Sequence, residues 1–331
     1  MVKFGVFADL HVDIMHDTQE RMEKMMEAFR KADVDFVVQL GDFCYPDVRK
    51  CICKPEHRPA NISNAMRLET FADKEKILSI YRDFVKPTYH VIGNHDCDMC
   101  SKEDVFSFYG SDLKPYYSFD MCGYHFVAVD ACYYKVGDEY ISYENGNYFD
   151  CPFENGTLPW IPPHEMKWLE EDLMNAKYPS ILFSHQRLMD GHSSIHNCEE
   201  LRELIKKAPN GVILSVNGHE HMDNVEKVDD TYFYNMNSAS CVWIGTKYEE
   251  LGKYTPEIDE KYPSIRYVIP YDAPVYAIIT IDENGIKIEG TKANQVGTTA
   301  EEFGIFDEWA GKKLRARMGA EAKDRYLELK K

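Results

Sequence analysis

Short apolar runs alternate with amphipathic segments in the N-terminal part of the chain, and this alternation limits the possible folds more than any other sequence feature. Three runs, at residues 3–8, 35–40 and 88–92, have the length and composition of buried β-strands. The segments between them, residues 18–32 and 65–85, carry apolar side chains at helical spacing. Because a strand–helix–strand order makes consecutive strands parallel, with the helix as the crossover, the sequence predicts an α/β fold.

Later in the chain the strands lie closer together in sequence and are joined by turns. Residues 116–120 and 124–130 predict a hairpin around Cys122-Gly123. Further helices are predicted at residues 163–176 and near 199–207. Further strands are predicted at residues 180–183, 212–216, 225–228, 232–235, 275–281 and 286–289.

This order of elements favours a single layered α/β domain over residues 1–300. Three polar segments rich in Pro, Gly, Tyr or Asn interrupt the pattern as loop insertions, near residues 44–63, 131–163 and 246–274. Long insertions in a compact domain usually serve as lids or binding loops. Residues 301–331 are charged and predict a helical C-terminal tail.

Acidic residues outnumber basic ones, 56 Asp and Glu against 38 Lys and Arg, which gives a net charge of -18. A surface of this sign excludes general electrostatic binding to nucleic acid, and an anionic substrate would need a local positive centre. No run of about 18 apolar residues occurs, so no membrane span is predicted. The N-terminal residues lead directly into the first strand rather than into a secretory leader. We therefore expect a cytoplasmic protein whose 10 Cys are reduced thiols.

A short polar motif directly follows five of the predicted strands. The motifs are Asp9-Leu10-His11, Gly41-Asp42, Gly93-Asn94-His95-Asp96, Ser184-His185-Gln186 and Gly218-His219-Glu220-His221. Ligands of open α/β sheets bind beyond the carboxyl ends of the strands, so the motifs converge if their strands share a sheet. In the Asp-x-His and His-x-His pairs, an extended backbone would point alternate side chains the same way.

The motifs offer carboxylates, imidazoles and one amide oxygen but no thiolate, which is a donor set of first-row transition metals. One such ion needs three or four donors. Seven donor side chains are present, namely Asp9, His11, Asp42, Asn94, His185, His219 and His221. This number is sufficient for two ions, and manganese, iron and zinc are all candidates.

The identity and order of these motifs, from residue 9 to residue 221, resemble those of the calcineurin-like metallophosphoesterases. The resemblance implies a two-sheet β-sandwich flanked by helices, that is, an αββα architecture. It also implies a dinuclear site of divalent or mixed-valence ions that cleaves phosphomonoester or phosphodiester bonds by attack of a metal-bridging hydroxide. The expected partner is a small phosphate-ester substrate, with nucleotides among the candidates.

The resemblance also assigns roles to individual residues. One ion would be held by Asp9, His11, Asp42 and His221, and the other by Asp42, Asn94, His185 and His219, with Asp42 bridging. His95 would protonate the leaving oxygen, and Asp96 would orient the His95 imidazole. Three residues that follow the fourth motif are candidates for contacts with substrate oxygens, namely Arg187, His192 and His196.

One position departs from the family's common pattern, because many relatives carry an Asp three residues after the bridging Asp and this chain has Tyr45 there. The segment Gly41-Asp42-x-x-Tyr45 partially resembles the purple acid phosphatases, whose Tyr binds ferric iron. Those enzymes lack the His of Asp-x-His, whereas this chain has His11. We therefore expect Tyr45 to lie behind the metal ligands or to face the substrate, and the metal identity stays open.

Three alternatives also stay open. A four-thiolate zinc site is the alternative to ordinary reduced thiols for Cys51, Cys53, Cys97 and Cys100. The tyrosine-rich residues 133–148, with Trp160, form either an aromatic cap that stacks on a planar substrate group or a packed surface loop. For the function, the alternatives are a nucleotide pyrophosphate hydrolase and a metal-binding scaffold without turnover.

Overall fold

The computed structural model describes residues 1–44, 74–110, 114–152, 156–191, 193–305, 308–309 and 312–329. The strands are β1 Val2–Phe7, β2 Phe36–Gln39, β3 Thr88–His90, β4 Tyr117–Met121, β5 Tyr124–Val129, β6 Tyr133–Val136, β7 Glu139–Ser142, β8 Gly156–Thr157, β9 Ser180–Ser184, β10 Val212–Asn217, β11 Asn224–Val228, β12 Thr231–Asn235, β13 Cys241–Trp243, β14 Val268–Pro270, β15 Ala277–Ile281, β16 Gly285–Gly290, β17 Glu308–Trp309, β18 Lys312–Lys313 and β19 Arg325–Glu328. The helices are α1 Thr18–Lys31, α2 Glu75–Arg82, α3 Lys102–Phe108, α4 Pro163–Asn175, α5 Cys198–Ile205 and α6 Pro256–Lys261.

Twelve of the strands form two six-stranded mixed sheets. The first sheet has the order β19-β16-β15-β1-β2-β3, and the second has the order β11-β12-β10-β9-β5-β4. Strands β1, β2 and β3 are parallel, as the strand–helix alternation predicts, and β15 pairs antiparallel with β1. In the second sheet β5, β9, β10 and β12 are parallel, while β4 and β11 are antiparallel edge strands.

The two sheets pack face to face through aromatic side chains. Phe36 of the first sheet contacts Phe126 of the second edge to face, with ring centroids 4.9 Å apart. Phe4 meets Phe183 in the same way at 5.6 Å. Edge-to-face contacts of this kind add to the free energy gained by burying the rings. They form the central layer of the sandwich that the resemblance implies.

Helices cover the outer faces of both sheets. Helix α1 packs so closely on β1 that a Cβ at Gly5 would lie 2.6 Å from the Phe29 ring. On the second sheet, Leu169 of α4 and Leu201 of α5 are buried in one cluster with Leu182 of β9. The predicted αββα architecture is therefore confirmed.

The prediction of a C-terminal helix over residues 301–331 is wrong. In the described part of this segment β17 pairs with β18, and β19 pairs antiparallel with β16 at the edge of the first sheet. Side chains of β19 alternate between half-buried and exposed, with Leu327 on the covered side. The Arg325 guanidinium donates to the Asp223 carboxylate at 2.8 Å. A charged composition is typical of an exposed helix and also of the solvent face of an edge strand. Here the pairing with a neighbouring strand decides between the two structures.

Two of the three predicted insertions contain regular structure. Residues 131–163 include β6, β7 and β8, which form a small three-stranded sheet, and residues 246–274 include α6 and β14. The insertion near 44–63 lies outside the described residues except for Cys44, as do residues 65–73 of the predicted second helix. Within the described ranges, every helix is too short or too polar to span a bilayer.

Candidate metal centre

The polar motifs come together although their strands belong to two different sheets. The motifs after β1, β2 and β3 extend from the first sheet, and those after β9 and β10 extend from the second. We expected the motifs to converge if all five strands shared one sheet, but the strands do not share one. The convergence of the motifs therefore has another cause. The two sheets face each other, so the carboxyl ends of their parallel strands lie along one edge of the sandwich.

Asp9, His11 and His221 form the first donor group, in which one ligand atom of each residue lies within 4.8 Å of the others. The Nε2 atoms of His11 and His221 are 3.1 Å apart, and Asp9 Oδ1 is 3.3 Å from His221 Nε2. Ligand atoms bound tetrahedrally at about 2.0–2.1 Å are separated by roughly 3.3 Å. Asp9 Oδ1 is buried and accepts no hydrogen bond. The spacing and the unsatisfied oxygen fit a metal ion.

Asp42, His185 and His219 form the second donor group. His185 Nε2 lies 3.2 Å from Asp42 Oδ2 and 3.1 Å from His219 Nδ1. The amide oxygen of Asn94 is also 3.1 Å from His185 Nε2, so it extends this group to a fourth donor. All seven predicted donors are therefore in one of the two groups or directly beside it.

Backbone carbonyls orient two of the imidazoles. His185 Nδ1 lies 2.9 Å from the Leu40 carbonyl oxygen, and His221 Nδ1 lies 2.7 Å from that of Cys241. Each ring is held through Nδ1 and directs its Nε2 into its donor group, the orientation that is usual for a metal-ligating His. Burial lowers the pKa of His11 and of His219 to about 3, so these two rings are neutral, which ligation requires.

The Asp42 carboxylate interacts with both donor groups. Although burial disfavours its charge, His185 of the second group, His95 and His11 of the first group hold its pKa well below the usual range. Its Oδ1 also accepts a hydrogen bond from the His95 backbone amide at 2.8 Å. The residue is therefore ionised, and its charge interacts with imidazoles of both donor groups.

At five of the seven donor residues the backbone is left-handed rather than extended. Positive φ occurs in only a few per cent of residues other than Gly. Five of the seven donors have it: Asp9 (52°), His11 (49°), Asp42 (51°), His219 (70°) and His221 (51°). The extended-backbone explanation of the Asp-x-His and His-x-His pairs is therefore wrong. Such conformations cost about 1–3 kcal/mol each and concentrate at functional sites.

Two glycines are required because donor carboxylates lie against them. A Cβ at Gly93 would be 2.2 Å from both the amide nitrogen and Oδ1 of Asp42. A Cβ at Gly218 would be 2.6 Å from Asp9 Oδ2. Any side chain at either position would displace the carboxylate that it meets.

A Gly93→Ala variant is therefore expected to bind less metal and to unfold at a lower temperature than the wild type. The added methyl group cannot fit without moving Asp42, and overpacking of a rigid site costs about 1–3 kcal/mol. Metal content and a thermal unfolding curve measure both effects. Gly319→Ala is the matched control, because no atom of the described residues, the two chain neighbours aside, lies within 4 Å of a Cβ at Gly319. Equal metal content in the two variants would contradict the prediction.

The predicted catalytic residue His95 is present at the site, but its partner is Asp98 and not Asp96. His95 Nδ1 lies 2.8 Å from Asp98 Oδ2, and the Tyr148 hydroxyl donates to Asp98 Oδ1 at 2.6 Å. Residues His95–Cys97 form a 3-10 turn, in which side chains three positions apart eclipse each other. Burial disfavours a charged imidazole, yet the Asp98 and Asp42 carboxylates raise the pKa of His95 above its ordinary value.

Asp96 holds the backbone of the site instead. Its carboxylate accepts hydrogen bonds from three backbone amides, at 3.0 Å from Asp42 and Cys44 and at 2.9 Å from Gly93. Burial and the nearby Asp42 charge raise the pKa of Asp96 to about 7. The prediction that Asp96 orients the His95 ring is therefore wrong, and Asp96 fixes the loop that carries Asp42.

A cavity of about 200 Å³ opens over the two donor groups. The described residues that line it are His11, Asp42, His95, Ser193, His219, Glu220, His221, Met222, Trp243, Leu314 and Met318. The last three belong to no recognisable motif and follow the donor motifs in the chain, so no sequence signal identifies them as lining residues. The Trp243 ring is stacked beside His95, with centroids 6.0 Å apart and planes at 28°.

The structure places Arg187 and His196 away from the cavity. The buried Arg187 guanidinium lies 3.6 Å from the Glu220 carboxylate and 3.3 Å from that of Glu226. His196 stacks on Trp160 at 5.5 Å. Neither is among the described residues that line the cavity, so the structure does not bring either side chain into it. His192 and Tyr45 lie outside the described residues.

The tyrosine-rich segment is a packed loop and not a cap. Tyr134, Tyr143 and Tyr148 are buried in the main hydrophobic core, and none of them lines the cavity as described. Of the four cysteines considered for a zinc site, Cys51 and Cys53 lie outside the described residues. Cys97 and Cys100 are buried, and burial raises the pKa of the Cys97 thiol well above its usual value.

The sequence profile of the calcineurin-like phosphoesterases matches residues 2–223. The chain belongs to this family. It is a metallophosphoesterase, a hydrolase of phosphoric esters, and the family's requirement for two metal ions corresponds to the two donor groups. No curated protein sequence matches the chain significantly.

Solved structures show the same fold. A dimetal phosphatase from Danio rerio superposes with a TM-score of 0.58 at 13% identity, covering 90% of this chain and 99% of its own. GAP50, the anchor in the inner membrane complex of Plasmodium, superposes with a TM-score of 0.52 at 13% identity, covering 100% of this chain and 89% of its own. At these identities the comparisons establish the fold alone.

Proposed function

We propose that this metallophosphoesterase hydrolyses a phosphomonoester or phosphodiester with two transition-metal ions, manganese, iron or zinc. One ion is held by Asp9, His11, Asp42 and His221, and the other by Asp42, Asn94, His185 and His219. The observation that supports this proposal is the pair of donor groups at one cavity, with donor atoms spaced as ligands of a common ion are. Asp42 is the residue common to both ions.

Such a pair of ions, when bound, supplies Lewis acidity toward the phosphoryl oxygens and toward water. Hydrolysis forms a bond from a water oxygen to phosphorus and breaks the bond from phosphorus to the ester oxygen. The leaving oxygen takes up one proton. Since His95 Nδ1 is engaged by Asp98, we assign this proton to His95 Nε2. Tyr148 fixes Asp98, which in turn fixes the plane of the His95 ring.

The charge balance of the site suits an anionic substrate. Two divalent ions carry +4, and the carboxylates of Asp9 and Asp42 reduce this to +2. The centre therefore stays positive inside a chain with a net charge of -18. Bound ions are often the largest local charges in a site, and here they would attract a phosphate that the surface as a whole repels.

The test is hydrolysis of p-nitrophenyl phosphate and of its bis ester by metal-stripped protein, before and after addition of Mn²⁺, Fe²⁺ or Zn²⁺. We expect two equivalents of metal per chain after loading, and turnover that returns with the metal. Mass spectrometry of the bound metal measures the first, and release of p-nitrophenol measures the second. Metal-loaded protein that turns over neither ester would favour the scaffold alternative.

A further inference from the structure

Four apolar side chains line the cavity together with the donor groups and His95. This set, here the apolar wall, consists of Met222, Trp243, Leu314 and Met318. We propose that the apolar wall binds the alcohol part of the substrate, so that the enzyme prefers phosphate esters of an apolar or aromatic alcohol over polyphosphates such as nucleoside diphosphates. This inference rests on the proposed function.

The position of His95 places the leaving alcohol against this wall. A group that protonates the leaving oxygen must lie within hydrogen-bond distance of it. The Trp243 ring lies 6.0 Å from the His95 ring and 6.3 Å from the His11 ring, measured between centroids. An alcohol whose oxygen meets His95 therefore extends along the indole, where apolar or aromatic carbon is favoured.

Most of the apolar wall lies beyond the segment that the family profile matches, which ends at residue 223. Trp243 is the last residue of β13, and Leu314 and Met318 lie between β18 and β19. The profile thus covers the residues that act on the phosphate, whereas the later part of the chain supplies the surface beside the alcohol. Residues that give this chain its own substrate specificity are therefore expected in the later part.

The segment that carries Leu314 and Met318 is anchored to the domain. Leu314 is half-buried and Met318 is buried, while Arg315 and Arg317 between them are exposed. The Arg315 guanidinium pairs with Glu226 and donates to the carbonyl oxygen of Asp190. The alternation keeps the apolar side chains toward the cavity, and the arginine contacts fix the segment.

The charges of the cavity disfavour a second phosphate. Among the described residues that line it, none is Lys or Arg, and two, Asp42 and Glu220, are acidic. The Glu220 side chain is only 3% exposed, and its carboxylate accepts a hydrogen bond from Asn235 at 2.7 Å and lies 3.6 Å from the buried Arg187 guanidinium, so that cation is already paired. A β-phosphate directed away from the metal ions would meet the apolar wall. Desolvating a phosphate there without a cationic partner is costly.

The experiment compares kcat/KM for n-hexyl phosphate and ethyl phosphate, and KM for ADP, in metal-loaded enzyme. Hexanol and ethanol have similar acidity, so the difference between their esters measures binding of the chain rather than leaving-group reactivity. We expect hexyl phosphate to exceed ethyl phosphate by about tenfold or more, since a few methylenes in an apolar pocket supply that ratio. Because AMP is a far better leaving group than hexanol, ADP is compared through its KM, which should exceed that of hexyl phosphate.

Leu314→Ser is expected to lower the hexyl-to-ethyl ratio about fivefold or more, because it removes apolar surface from the wall. Arg317→Ser, an exposed change on the same segment, is the matched control and should keep the wild-type ratio. A wild-type ratio near one, an unchanged ratio in Leu314→Ser, or a KM for ADP below that for hexyl phosphate would overturn the inference while leaving the phosphoesterase function intact. Protein that holds two metal equivalents and hydrolyses no ester would refute both.

Discussion

An Asp42→Asn variant is expected to lose both metal ions and to hydrolyse p-nitrophenyl phosphate at least about 10³-fold more slowly than the wild type. Asp42 lies 3.2 Å from His185 in the second donor group and also interacts with His11 in the first. An amide cannot supply an anionic oxygen to each of two ions, so both sites lose their common ligand. Metal analysis and kcat/KM in added Mn²⁺ measure the two effects.

Asp98→Asn is the matched control for this variant. Asp98 is as deeply buried as Asp42, and each exposes 2% of its surface, but its carboxylate contacts His95 and Tyr148 rather than a donor group. The control should therefore keep two equivalents of metal. If Asp42→Asn also kept two equivalents, Asp42 would not bridge the ions, and the assignment of ligands would have to be abandoned.

The ligands were predictable from the sequence because each motif directly follows a strand. Strand ends can be read from apolar runs, and parallel strands bring their carboxyl ends to one edge, so Asp9 and Asp42 of the first sheet had to approach one another. His185 joins them because the second sheet faces the first. The left-handed backbone at Asp9, His11 and Asp42 could not be read in the same way. It depends on long-range contacts, such as the hydrogen bond from the His11 amide to the Asp42 carbonyl.

The partner of His95 shows where local reading fails. Adjacency suggested Asp96, but the 3-10 turn at His95–Cys97 brings the residue three positions later, Asp98, alongside the imidazole. The spacing His-x-x-Asp was present in the sequence and would have sufficed with the correct turn type. No such signal exists for Trp243 or Leu314, because a contact between residues so distant in the chain leaves no periodic pattern.

His95→Asn is expected to keep both metal ions and to lower kcat by about 10²–10⁴, the range usual for loss of a general acid. The Asn side chain cannot deliver a proton to the leaving oxygen, whereas the two donor groups do not include His95. Asp98→Asn should lower kcat by less, because the ring remains but loses the carboxylate 2.8 Å from Nδ1. Metal content and kcat are measured for both on ethyl phosphate, whose alcohol is so weakly acidic that its oxygen must be protonated as it leaves.

The double variant decides whether Asp98 acts through His95. If Asp98 only positions and charges the imidazole, adding Asp98→Asn to His95→Asn should change kcat no further, since residues acting as one unit are not additive. Asp120→Asn is the control, because Asp120 pairs at 2.7 Å with His125, which does not line the cavity as described. That variant should keep kcat within about twofold of the wild type, as most surface changes do. Additive losses from His95→Asn and Asp98→Asn would show that the Asp98 carboxylate serves the reaction independently of the His95 ring.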